Sequence, residues 1–154
     1  MGLIHQVDVK RLTSTENGMT QFYTPQTSHE TMLVKVEAGV TENLFVHHFQ
    51  TDQLLAVSGS IVLVILQNRT YQYIHLQATQ PQVVTIPPGI PHSSVNLTSN
   101  PCLLINAVLR HGEPDERDYR PIKPPFPYDL AHIKQLMAME AKFPAHSAWS
   151  DYTI

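Results

Sequence analysis

The sequence is short of cysteine and of long apolar runs, and each shortage removes a class of protein. One cysteine in 154 residues rules out a disulfide framework, so a core must hold the fold. That residue, Cys102, lies in the run Cys102-Leu103-Leu104-Ile105 and is expected to be buried as a small hydrophobe. The longest apolar run, Ile61 to Leu66, is far too short to span a bilayer. The first residues, MGLIHQVDVKRL, lack the basic region and apolar stretch of a signal peptide. A cytoplasmic protein is expected, with the sequons at Asn68 and Asn96 as chance matches. Charged residues make up 15% of the chain, the formal net charge is −3, and Lys and Arg form no cluster, which argues against nucleic acid and membrane surfaces as partners. No internal repeat is present, and helical periodicity is nearly absent before Tyr128.

What the chain has instead is short β-branched runs punctuated by stiff turns, with twelve prolines against six glycines. MLVKVEAGV reads as a strand ending at Gly39, and NLFVHHF as another after Thr41-Glu42. Strands follow at Leu54 to Val57, Ile61 to Leu66, Tyr71 to Leu76, Val83 to Ile86, His92 to Leu97 and Cys102 to Leu109. Gln67-Asn68-Arg69-Thr70 makes a hairpin connection. In YQYIHL, Tyr71, Tyr73 and His75 share one face and Ile74 and Leu76 the other. Roughly eight strands at a spacing of about ten residues indicate an all-β fold, best a jelly roll. Asp129 can cap a C-terminal α-helix, LAHIKQLMAMEAKF, with Leu130, Ile133, Leu136, Met137 and Met139 or Glu140 roughly along one face and Pro144 at its end. The expected organisation is one domain: an N-terminal arm or outer strand over 1–30, a barrel over 31–122, and over 123–154 a proline-rich segment, the helix and a tail containing Trp149 and Tyr152.

Two stretches carry chemistry. In VVTIPPGIPHSSVN, Pro87-Pro88 exclude a helix, Gly89 supplies the freedom of a turn, and His92, Ser94 and Asn96 follow on one face of a strand. The spacing Pro87, Gly89, His92, Asn96 resembles the second motif of the cupin superfamily, which implies a double-stranded β-helix, the cupin jelly-roll barrel. The first motif falls between Gly39 and Gly59, where Asp52 and Gly59 fit. His47 and His48 are adjacent there, so in a strand only one can face inward. His48 inward brings Gln50 and Asp52 with it, a set of nitrogen and oxygen donors. His47 inward brings Phe45 and Phe49. The chemistry favours His48 inward and His47 toward solvent. A divalent transition metal on His48, Asp52 and His92, or with His47 if its face is inward, is an alternative.

Within the superfamily, His48-Phe49-Gln50, IPPGIPH at 86–92 and DERDYRPI at 115–122 resemble the dTDP-4-dehydrorhamnose 3,5-epimerase family, with sugar 3,4-ketoisomerases nearly as good a match. The resemblance covers about residues 44–122. It implies an isomerase without a cofactor, acting on a 4-keto nucleotide sugar: His48 removes a proton beside the keto group, and His92 positions the sugar or stabilises the enolate. The family's Arg-Gly before the base is replaced by Val46-His47, and its catalytic tyrosine falls at about Arg110-His111. His111 then stands as candidate acid, with Arg110, Gln50, Tyr73 and Asn96 as substrate-binding candidates and Tyr71 and Tyr119 as further phenols. Asp52 is the candidate for orienting the base. Blander expectations are a surface ion pair for Arg110 and Asp118, a half-exposed strand position for His75, and no role for His5, His29, His132 or His146. The alternatives to the isomerase are a metal-dependent small-molecule enzyme and a non-catalytic cupin that binds a small polar ligand. A homodimer is expected, with the first thirty residues as contact.

Overall fold

The runs ILVIL-like in character, Ile61 to Leu66 and Cys102 to Leu109, are too short and too β-branched for buried helices, and both become interior strands. In the computed structural model, residues 6–14 and 22–142 are described. The strands are β1 (Asp8–Arg11), β2 (Thr13–Ser14), β3 (Phe22–Tyr23), β4 (Glu30–Val36), β5 (Val40–Thr41), β6 (Gln50–Ser58), β7 (Ser60–Gln67), β8 (Thr70–Gln77), β9 (Gln82–Ile86), β10 (His92–Asn96) and β11 (Cys102–Arg110). A 3-10 turn at Glu116–Tyr119 and helix α1 (Leu130–Lys142) follow. The larger sheet has the order β1-β9-β6-β11-β4 and the smaller β5-β10-β7-β8, all pairings antiparallel, with β2-β3 as a separate ribbon. Two antiparallel sheets closing on one core are the jelly roll that the strand pattern predicts.

Alternation fills the space between the sheets. Leu54 and Ala56 of β6, Ile61, Leu63 and Ile65 of β7, Ile74 and Leu76 of β8, Val84 and Ile86 of β9 and Leu104 of β11 form the core, and Cys102 lies in it as expected. The opposite face of the smaller sheet is apolar as well. Val62, Val64 and Val95 meet Ile133, Leu136 and Met137 of α1, with Tyr71, Tyr73 and Tyr128 around them. Asp129 caps this helix, its Oδ1 accepting from the His132 N–H at 2.9 Å. Leu130 and Met139, expected on the apolar face, are exposed, because the sheet is met only by the stripe through Ile133. Pro144, Trp149, Tyr152, His5 and His146 lie outside the described residues.

The turns follow from local chemistry. Asn68 and Arg69 both have positive φ, at 52° and 61°, the primed turn that suits a two-residue hairpin between β7 and β8. Gly59, at φ 74°, joins β6 to β7 so tightly that a Cβ there would lie 2.7 Å from the Pro101 carbonyl oxygen. One expected strand is missing. Leu44 and Phe45 make isolated bridges to Ile122 and His92, but residues 46–49 belong to no strand and bend at His48-Phe49 before β6 begins.

Candidate active site

A cavity of about 310 Å³ opens between the sheets, at the lower end of the roughly 300–1,000 Å³ of ligand sites. His47, Asp52, His92 and Asn106 lie on its wall together with Phe45, Glu42, Ser94, Asp118 and Tyr119. The bend at His48-Phe49 decides which histidine enters. Strict alternation from Phe45 would put Asp52 opposite to His47, but the bend shifts the parity by one, so that Phe45, His47 and Asp52 all reach the same cavity. Phe49 instead turns outward, 43% exposed, over Gly112, where an added Cβ would lie 3.2 Å from its ring. The expectation that His48 faces inward while His47 faces solvent is corrected, and with it the His48, Asp52, His92 ligand set. The proline turn fixes this arrangement on both sides: Gly89 N–H donates to the His47 carbonyl at 2.8 Å, and Phe45 and His92 exchange backbone hydrogen bonds at 2.8 and 2.9 Å.

Asp52 is the hub. Its side chain is 3% exposed; Oδ1 accepts from Gln50 Nε2 at 2.5 Å and from Asn106 Nδ2 at 2.9 Å. Oδ2 lies 3.2 Å from His92 Nε2 and 3.4 Å from His47 Nε2. Burial alone would raise this carboxyl, but the His92 contact and charge, the charge of His47 and the Asn106 bond outweigh it and hold its pKa at about 2. Burial pushes the His47 pKa down, more strongly than the Asp52 charge raises it, and His92 adds to the lowering. His92 Nδ1 donates to the Ile90 carbonyl at 2.9 Å, which commits that nitrogen and points Nε2 at Asp52. The two imidazoles lie 5.2 Å apart, and the three ligand atoms of His47, Asp52 and His92 fall within 4.8 Å of one another.

A second imidazole–carboxylate pair reaches the cavity through Asp118, which lines its wall, while the His48 ring does not. Asp118 is 3% exposed, and its Oδ1 accepts from both the backbone N–H of His48 at 3.0 Å and the His48 ring Nδ1 at 2.5 Å. Burial raises the Asp118 carboxyl, but the hydrogen bonds from His48 and the Asp115 segment lower it further, and the net shift is downward. The 3-10 turn that carries Asp118 is capped by Asp115, whose carboxylate accepts from the Arg117 N–H at 2.9 Å. Tyr119 follows on the same turn, 68% exposed at the mouth. The surface ion pair expected between Arg110 and Asp118 is therefore not formed.

Other expected site residues lie elsewhere. The His111 ring meets Thr51 Oγ1 at 2.7 Å, outside the cavity wall. Tyr73 accepts the Asp129 N–H at 2.8 Å under α1, and Tyr71 donates to the Phe126 carbonyl at 2.8 Å, so neither phenol faces the cavity. Asn96 is fully buried and ties the turn at Thr98–Asn100 to Val36. Arg110 spends its guanidinium on Glu30 and on Gln50 rather than on the cavity. Asp118, Glu42 and Asn106 were not foreseen as cavity residues. Asn106 was within reach of pattern reading, since Cys102, Leu104 and Asn106 alternate inward along β11.

No protein-family model and no curated protein matches the sequence. The likeness of the chain to solved structures is one of fold. A dTDP sugar isomerase from Desulfovibrio desulfuricans superposes with a TM-score of 0.57 at 14% identity, covering 73% of this chain and 85% of that one. The sugar 3,4-ketoisomerase QdtA from Thermoanaerobacterium thermosaccharolyticum, solved with TDP, gives 0.58 at 14%, covering 91% and 98%. The capsular polysaccharide assembling protein CapF from Staphylococcus aureus gives 0.53 at 22%, covering 66% of this chain, which spans only 30% of that longer one. The fold is thus the cupin jelly roll. Among the structures that share this fold with the chain are dTDP-sugar epimerases and a sugar 3,4-ketoisomerase.

Proposed function

We propose that the protein is a cytoplasmic isomerase or epimerase that modifies a 4-keto nucleotide sugar, with His48 as general base and Asp118 as the carboxylate that orients it. The observation that carries this reading is the 2.5 Å contact of His48 Nδ1 with Asp118 Oδ1, beside a cavity that Asp118 itself lines. A carboxylate has no proton to give, so Nδ1 holds the hydrogen and Nε2 keeps the lone pair. That nitrogen takes the proton from the carbon beside the keto group, and the electron pair moves into an enolate. Return of a proton from the opposite face gives the epimer; protonation of the former keto oxygen and its carbon, with loss of the proton of the neighbouring hydroxyl as that group becomes the new carbonyl, gives the ketoisomer. Tyr119 is the phenol on the cavity wall and the candidate donor, reprotonated from solvent; His111 is withdrawn from that role by its position. His92 and Asn106 on the floor contact the sugar. The fold likeness to dTDP-sugar enzymes supports the substrate class.

The test is incorporation of solvent deuterium into 4-keto-6-deoxy nucleotide sugars. Exchange beside the keto carbon is expected, and its absence across several such sugars at high protein concentration would sink the reading.

A second reading has its own observation. His47 Nε2 and His92 Nε2 converge on the same Asp52 oxygen, at 3.4 and 3.2 Å, and the His92 ring is held in that direction by its Nδ1 bond to the Ile90 carbonyl. His47, Asp52 and His92 are the residues that would hold a divalent transition metal, which supplies Lewis-acid polarisation of a carbonyl when bound. Metal analysis of untagged protein tests this: stoichiometric metal, lost in both His47→Ala and His92→Ala, supports it, and metal-free active protein removes it. We also propose that the protein is a homodimer.

A further inference from the structure

Arg110 and Gln50 have the chemistry of ligand-binding residues, yet neither lies on the cavity wall. We propose that they are positioning residues, the middle of a relay that begins at Glu30 on the edge strand β4 and sets the orientation of Asp52. The links are continuous. Arg110 Nε and Nη2 donate to the two oxygens of Glu30 at 3.0 and 2.9 Å, a bidentate fork. Its remaining arm, Nη1, donates to Gln50 Oε1 at 2.6 Å. Gln50 Nε2 then donates to Asp52 Oδ1 at 2.5 Å.

Each step leaves the next no choice. A guanidinium only donates, so the carbonyl end of the Gln50 amide must face Arg110 and the NH₂ end must face Asp52. Asn106 is set in the same way, because its Oδ1 accepts from the Gln53 backbone N–H at 3.0 Å and its NH₂ is left for Asp52 at 2.9 Å. Two donors on Oδ1 stop rotation of the carboxylate, and Oδ2 is left between His47 and His92. Gln50, Asp52 and Asn106 are 6%, 3% and 6% exposed, so water does not compete with these bonds. The relay is also a register feature: Arg110 and Gln50 are Cα partners across β11 and β6, and Glu30 pairs with Val108 on the other side of β11.

The proposal holds whichever chemistry the cavity performs, and its primary test needs no substrate. Gln50→Glu keeps the size and the Arg110 acceptor but puts a carboxylate oxygen against Asp52. Arg110→Lys keeps the charge but cannot serve Glu30 and Gln50 together. In ring-¹⁵N-labelled protein, both variants should move the imidazole resonances of His47 and His92 while that of His132, on the outer helix, stays in place. Glu30→Gln, at a partly exposed strand edge, should move the same resonances in the same direction by less, and it decides the matter if a core variant does not fold. Solvent exchange should fall on the order of tenfold or more in kcat with KM little changed. Unmoved His47 and His92 resonances in folded Arg110→Lys and Glu30→Gln protein would overturn the proposal.

Discussion

Asp52 is where burial and partnership compete most sharply. Its carboxyl is held at about 2 against an ordinary 3.8, so the unfolded chain takes up a proton near pH 4 that the native state refuses until about pH 2. The stability this contributes is fully present above the unfolded value and lost as pH falls through the native one. By that shift it amounts to about 2 kcal/mol. Urea unfolding across acid pH should show wild type losing that increment between about pH 4 and pH 2, and Asp52→Asn lacking it. Equal losses in both proteins would contradict the assignment. His47 works in the same direction at higher pH: its native pKa is lowered by burial, so stability declines as pH falls below the ordinary histidine value. At this scale the sequence revealed residue types but not their directions. His92, Asp52 and His48 were found from spacing, whereas Asp118 was read as a surface residue because nothing local marks a carboxylate 70 positions away as the partner of His48.

Turns and breaks decide how far pattern reading carries. The strands from Ile61 onward obey alternation, and their faces were legible because each keeps one parity along its length. Residues 46–49 do not, and a two-residue bend there exchanged the expected places of His47 and His48. Two glycines separate conformation from packing in the same way. Gly89 has φ 80° and open space around its Cβ position, so Gly89→Ala should cost about 1 kcal/mol from the left-handed backbone alone. Gly59 has φ 74° and the Pro101 oxygen 2.7 Å from that position, so Gly59→Ala should cost about 3 kcal/mol. Chemical denaturation of the pair checks this; equal losses would show that the contact at Gly59 relaxes freely.

For the whole molecule, the two sheets are finished differently on their outer sides. The smaller sheet is covered by α1, whereas on the larger one Leu33, Ile105 and Leu55 stand side by side across three strands, with Leu33 73% exposed and Val57 45% exposed. A second copy over that face is the homodimer we propose. Light scattering should give twice the chain mass for wild type and a shift toward monomer for Leu33→Lys, and a monomeric wild type would refute it. The fold itself was legible because strand spacing, turn residues and the proline–glycine corner all agree. The chemistry was less so, since it depends on contacts between segments far apart in sequence.

The proposed chemistry rests on the His48–Asp118 pair, and deuterium exchange beside the keto carbon, compared between His48→Asn and His47→Asn, tests it most directly. His48→Asn should lose on the order of a thousandfold in exchange rate while His47→Asn retains a measurable fraction. Wild-type exchange in His48→Asn, with exchange abolished in His47→Asn, would contradict the account.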